Sequence, residues 1–224
     1  MKAITIAIDG PAGAGKSTVA AVLAERLGYI YIDTGAMYRA VTYELQRTGV
    51  ILTDAQAVCR AVDGLTVRIS GARVSVNGSD VTAFLRTQEV SAAVSIVAAY
   101  PCVRRLLVQE QRAMAEAGGV VMDGRDIGTV VLPDAQLKVF LTASAEVRAR
   151  RRWAQSRKGQ TLTTAGLEAL KEAISRRDRQ DSEREVSPLR QAGDARLLDN
   201  SEMTAAETVG VLVDWAEQVM HHVH

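Results

Sequence analysis

Gly10-Pro11-Ala12-Gly13-Ala14-Gly15-Lys16-Ser17-Thr18 is the stretch whose reading decides the fold. A glycine, four residues and then Gly-Lys-Ser is the phosphate-loop spacing. Upstream, residues 3–8 form an apolar, β-branched run that predicts a buried strand. Downstream, Val19, Val22, Leu23 and Leu27 recur at helical spacing. A strand feeding a glycine loop that opens a helix is the setting this motif requires. The glycines let successive backbone N–H groups turn inward around a phosphate, where side chains would block the approach. The helix adds its own free N–H groups and the positive end of its dipole. Lys16 then reaches the β- and γ-phosphates and the Ser17 hydroxyl suits Mg²⁺, so the stretch predicts binding of a nucleoside triphosphate.

Working outward, residues 29–32 read as a second short strand after Gly28. It delivers Asp33-Thr34-Gly35-Ala36-Met37-Tyr38-Arg39 to the edge where parallel sheets bind ligands. Asp33 suits a water on Mg²⁺, with a helix N-cap as the alternative for Asp33 or Thr34, while Thr34 and Arg39 point toward a second anion. A helix to Gly49 and a shorter one over residues 53–62, capped by Thr53 or Asp54, come next. The texture then changes: residues 65–70 and 73–76 alternate strictly, and Asn77-Gly78 is a strong turn signal with a return strand expected from Val81-Thr82. This predicts a small antiparallel insert over residues 63–84. Helices over 87–99 and 103–117 meet at Tyr100-Pro101, with Ser95 and Arg104 bracketing the break.

Val120-Val-Met122 reads as a strand leading into Asp123-Gly124-Arg125-Asp126, and further strands are expected at 137–141 and 195–198. Strands separated by helices predict one α/β domain with a five-stranded parallel sheet. Arg148, Arg150, Arg151, Arg152, Arg157 and Lys158 form a basic stretch that reads as a mobile arginine lid over polyphosphate, near residues 146–163. On the following helix Arg177, Asp181 and Arg184 share a face, as a salt-bridge ladder or as a surface presented to a nucleotide.

At 224 residues, with 47% hydrophobic and 24% charged positions, the chain suits one sizeable globular core. The net charge of +1 gives no general attraction to nucleic acid or to an anionic membrane. Apolar runs are too short to span a bilayer, and residues 3–8 lead directly into the phosphate loop rather than into a signal-peptide pattern. With only two cysteines, Cys59 and Cys102, the expectation is free thiols in a reducing cytoplasm. All three histidines lie in the last four residues, which excludes a His-based zinc site in the core. A switch-type GTPase is disfavoured by the lack of Asn-Lys-x-Asp and Asp-x-x-Gly, and a nucleic-acid-dependent ATPase by the charge.

Taken together, Asp9-Gly-Pro…Gly15-Lys-Ser-Thr18, Asp33-Thr-Gly-Ala-Met-Tyr-Arg39, Arg86-Thr-Gln-Glu-Val90, Asp123-Gly-Arg-Asp-Ile-Gly128, Arg177-Asp178…Asp181…Arg184, Pro188-Leu189 and Asp194-Ala195 resemble the bacterial cytidylate kinases in order and over essentially the whole chain. The resemblance implies the nucleoside monophosphate kinase form of the P-loop NTPase fold, with a monophosphate-binding subdomain near residues 35–110 and a lid. It implies transfer of the γ-phosphoryl of ATP to CMP or dCMP, with Mg²⁺. ATP falls to residues 10–18, and catalysis to Lys16, Arg125, Arg148 and Arg152. Thr34, Arg39, Arg125 and Arg177 surround the acceptor's phosphate and sugar, Asp181 contacts the sugar, and Ser95, Arg104, Asp126 and Arg184 contact cytosine. Serine is frequent at position 34 of that family, and threonine keeps the hydroxyl. A kinase for UMP or thymidylate would differ only at the base contacts. A monomer in the cytoplasm, without nucleic acid or membrane partners, is expected.

Overall fold

The computed structural model describes residues 3–156 and 161–222, which fall into two units, one made of the chain up to Tyr31 and from Gly118 onward, the other of Ile32–Ala117. In chain order the elements are β1 (Thr5–Asp9), α1 (Lys16–Leu27), β2 (Ile30–Asp33), α2 (Thr34–Arg47), α3 (Ala55–Val62), β3 (Val67–Ser70), β4 (Arg73–Val76), β5 (Ser79–Asp80), α4 (Gln88–Val97), α5 (Pro101–Ala115), β6 (Val120–Gly124), β7 (Leu137–Thr142), α6 (Ala145–Ser156), α7 (Thr164–Glu183), β8 (Arg196–Asp199) and α8 (Ala205–His222).

The first unit is built on the expected five-stranded parallel sheet, in the order β2-β6-β1-β7-β8. Thr5 of β1 lies opposite Val120 of β6, and Ile6 opposite Leu137 of β7. A central parallel strand is covered on both faces, so its residues read as one apolar run, and Ile4, Ile6, Ala7 and Ile8 are buried. Leu23 of α1 and Leu212 and Ala216 of α8 complete that core with Val121, Val139 and Leu141. β1 and β6 deliver residues 10–15 and 125–126 at their carboxyl ends, the edge where such sheets bind ligands. Among the described residues no single helix is long and apolar enough to cross a membrane.

The second unit has its own core, in which Met37, Val41 and Leu45 of α2 meet Val58 and Val62 of α3 and Val103 and Leu107 of α5. Its three-stranded antiparallel sheet, β3-β4-β5, is the expected insert. Asn77 and Gly78 both have positive φ, 50° and 79°, as a two-residue hairpin turn demands. So tight a turn starts the return strand at once, and β5 is Ser79–Asp80 rather than the expected Val81-Thr82. Asp80 ends it by accepting bonds from the Thr82 backbone N–H and hydroxyl, and Thr82–Phe84 is a 3₁₀ turn. Asp54, not Thr53, caps α3.

The cysteines correct a second expectation. Cys59 on α3 and Cys102 on α5 form a disulfide, with Cα atoms 5.6 Å apart across a separation of 43 residues. A low cysteine count argues against a many-bridged scaffold, but proximity is set by packing. Val58 and Val103, the neighbours of the two cysteines, lie in the same core cluster.

Candidate active site

The phosphate loop of the first unit runs from Gly10 into α1. Gly10 adopts φ 147°, and a Cβ there would lie 1.9 Å from the Leu141 carbonyl oxygen, so only glycine fits. Gly15, at φ 91°, is the N-cap residue from which Lys16 starts the helix. Lys16 is buried, and its Nζ donates to the Pro11 carbonyl at 2.8 Å. Burial lowers its pKa to about 7, helped by the charges of Arg125 and Arg177 and opposed by Asp123 and Asp9. The Ser17 hydroxyl donates to Asp123 Oδ2 at 3.0 Å, and Tyr31 donates to Asp123 Oδ1 at 2.8 Å. An ammonium, a hydroxyl and a carboxylate thus stand together at the sheet's carboxyl edge.

Asp9, at the end of β1, accepts from the backbone N–H groups of Ile127 at 2.8 Å and Gly128 at 2.7 Å. Burial raises its pKa to about 6 in spite of those two bonds. The carboxylate therefore fixes the π-helical turn Ile127–Val131 that follows Arg125 and Asp126. Arg125 Nε donates to Asp181 Oδ2 at 2.9 Å. Arg184 Nη2 lies 3.5 Å from Asp126 Oδ1, with both side chains buried, and its Nε donates to the Ser187 carbonyl at 2.6 Å. Arg125, Asp126, Asp181 and Arg184 thus form two ion pairs that tie the β6 mouth to the end of α7. Arg177, half-buried on α7, makes itself felt on Lys16 through its charge.

Of the basic stretch, Arg157 and Lys158 lie outside the described residues. Arg148 donates to the carbonyls of Ala143 and Ala12 and pairs with Asp178. Asp178 in turn accepts from the Ala12 N–H at 3.1 Å. Arg152 is exposed on α6. Arg151, expected in a lid over polyphosphate, and Asn200, which the sequence did not single out, both brace the phosphate loop. Arg151 donates to Asn200 Oδ1 at 2.9 Å, and both residues donate to the Ala14 carbonyl. The Asn200 side chain is buried directly after β8, and a buried amide beside a strand end is a signal that only the fold makes visible.

In the second unit, Asp33 caps α2 through the Ala36 N–H and pairs with Arg39 at 3.0 Å. Thr34 is buried in the first turn of that helix. Ser95 is half-buried on α4. Arg104 is buried in the first turn of α5; its guanidinium sits 5.4 Å from the Tyr38 ring centroid and donates to the Ala98 carbonyl at 3.3 Å.

A phosphate loop on a five-stranded parallel sheet, with a buried lysine and a carboxylate beside its serine, defines a nucleotide-binding protein of the P-loop NTPase fold. A family model described as cytidylate kinase matches residues 6–218. A cytidylate kinase of Geobacillus kaustophilus (strain HTA426) is 54% identical over 211 residues, 92% of this chain and 93% of its own. One of Bacillus subtilis (strain 168) is 49% identical over 222 residues, 97% and 98% of the two chains. The crystal structure of an uncharacterized protein from Eubacterium ventriosum ATCC 27560 shares the fold, with a TM-score of 0.53 at 14% identity over 97% of this chain and 99% of that one. The chain belongs to the cytidylate kinase family: it is an enzyme, a nucleoside monophosphate kinase that phosphorylates CMP or dCMP at the expense of ATP.

Proposed function

We propose the following division of that reaction among the residues. Backbone N–H groups of residues 10–18 cradle the polyphosphate of ATP, and Lys16 follows the charge that develops on the transferred phosphoryl. Arg125, Arg148 and Arg152 neutralise the same charge, Arg148 by exchanging its Asp178 partner for phosphate oxygens. In the second unit, Ile32–Ala117 is the monophosphate-binding subdomain, with Thr34 and Arg39 assigned to the acceptor phosphate and Ser95 and Arg104 to the base. In the first, Arg177 is assigned to phosphate, Asp181 to the sugar, and Asp126 and Arg184 to the base. The acceptor phosphate is already ionised, so the reaction needs alignment and charge neutralisation more than a general base.

Mg²⁺ fits the first unit, because a hard cation takes oxygen ligands and the Ser17 hydroxyl already faces the Asp123 carboxylate at 3.0 Å. When bound with ATP, it would neutralise phosphate charge. Asp33, engaged by the Ala36 N–H and Arg39, is assigned to capping α2 rather than to the metal. The enzyme is read as a cytoplasmic monomer, working where ATP and CMP are found.

The observation that supports the reading most is the buried Lys16 held with Ser17 and Asp123 at one strand edge. A coupled assay that supplies ATP with CMP, dCMP, UMP or dTMP, without nucleic acid, tests it. CMP or dCMP is expected to turn over fastest, and a preference for another monophosphate would overturn the base assignments.

A further inference from the structure

We propose that the Cys59–Cys102 disulfide is a redox-responsive tie that positions Arg104 for the monophosphate substrate. The proposal rests on the assignment of Arg104 to the substrate base. Cys102 lies two residues before Arg104, in the first turn of α5. Val103 packs that turn into the core, but its N-terminal end has no side-chain cap. Its N-cap, Tyr100, makes no side-chain capping bond, and Pro101 at the first helical position has no N–H to give. The α4–α5 corner bends by 98°. Two ties hold it to the segment around α3: the disulfide to Cys59, and the Tyr100 hydroxyl, which donates to the Leu52 carbonyl at 2.7 Å.

Arg104 depends on that corner directly. Its Nη1 reaches back to the Ala98 carbonyl at the end of α4, and its guanidinium lies over Tyr38. A shift of the α5 start relative to α4 therefore moves the guanidinium away from the Ala98 carbonyl and the Tyr38 ring. Both cysteines are half-buried rather than sealed in the core, so a small dithiol can reach the sulfurs. Disulfides in reducing compartments are mostly redox-sensing rather than structural.

The chemistry is thiol–disulfide exchange. A thiolate of a dithiol reductant attacks one cysteine sulfur, the protein S–S bond breaks, and a mixed disulfide forms. The reductant's second thiolate then displaces the cysteine and closes a cyclic disulfide. Two electrons pass to the protein, and the two protons given up by the dithiol end on Cys59 and Cys102. A small-molecule disulfide such as oxidised glutathione reverses the reaction.

The test uses the full chain purified without reductant. Alkylation under denaturing conditions is expected to find neither cysteine free before dithiothreitol and both free after it. Steady-state kinetics should then show the KM for CMP rising on reduction by about fivefold or more, with kcat and the KM for ATP within about twofold. Oxidised glutathione should restore the starting value. The Cys59→Ser/Cys102→Ser double variant should reproduce the reduced enzyme and ignore dithiothreitol. Two free thiols that oxidised glutathione cannot join would overturn the proposal. A lower melting temperature on reduction with an unchanged KM for CMP would also overturn it, leaving a structural staple. Failure to phosphorylate CMP in either redox state would instead remove the functional assignment beneath it.

Discussion

Asp178 of α7 and Arg148 of α6 form an ion pair on the backbone of Ala12, which gives its N–H to the carboxylate and its carbonyl to the guanidinium. Both side chains are largely buried, so removing one partner leaves a charge with poor hydration. Asp178→Ala is expected to cost about 3 kcal/mol in urea unfolding and to raise the KM for ATP, because the loop at Ala12 loses its anchor. Asp178→Asn keeps an acceptor for the Ala12 N–H and should raise that KM less. An alanine variant that matches the parent in both measurements would show the pair to be incidental.

Lys16 makes ATP binding a proton-linked event. With its pKa lowered to about 7 by burial, the free enzyme has lost most of its Lys16 proton at pH 8. The anionic polyphosphate favours the ammonium and raises that pKa, so binding must take a proton up. At pH 8 the γ-phosphate is already ionised, and the uptake belongs to the enzyme. Calorimetry in two buffers of different ionisation enthalpy is expected to show net proton uptake on ATP binding, which Lys16→Ala abolishes. A heat of binding that does not depend on the buffer would contradict the assignment.

Asp9 has a pKa raised by burial to about 6, against an ordinary 3.8. The fold therefore binds this proton more tightly than the unfolded chain does. Its contribution to stability is fully present below about pH 3.8 and is lost as pH rises through about 6. Asp9→Asn stays neutral throughout and shifts stability by a constant amount for the backbone N–H it satisfies poorly. Between pH 4.5 and 7, unfolding experiments should show the variant gaining on the parent by about 2 kcal/mol. A difference that stays flat over that range would rule out a shifted Asp9.

What the sequence made legible follows from what spacing encodes. The Gly-x₄-Gly-Lys-Ser spacing fixed the strand–loop–helix around residues 10–18, and apolar period fixed the five strands to within a residue or two. Asn77-Gly78 located the hairpin, whereas the early end of β5 depended on the side chain of Asp80. The Cys59–Cys102 bridge was illegible because residues 43 apart meet only once α3 and α5 are packed. The supports of Ala12 and Ala14 were hidden for the same reason. Asp178, Arg151 and Asn200 reach the loop from elements more than 130 positions away, and nothing along the chain marks which polar side chain a fold will turn inward.

Base choice is the remaining consequence, and it turns on Asp126. Its carboxylate lies 3.5 Å from the Arg184 guanidinium, with both groups buried. That pairing suits two roles, a brace for the arginine or a carboxylate held in place to read a base. Cytosine offers an N4 amino donor, which a carboxylate accepts, whereas uracil offers O4, which would face it as a second acceptor. A buried group matched to one hydrogen-bond pattern rejects the other base because a polar atom is left unpaired. Asp126→Asn replaces the acceptor by an amide that can donate to O4. If Asp126 reads the base, kcat/KM for CMP over UMP falls by at least about tenfold, mainly through CMP. If both substrates weaken by one common factor, Asp126 only braces Arg184, and discrimination passes to Ser95 and the arginines.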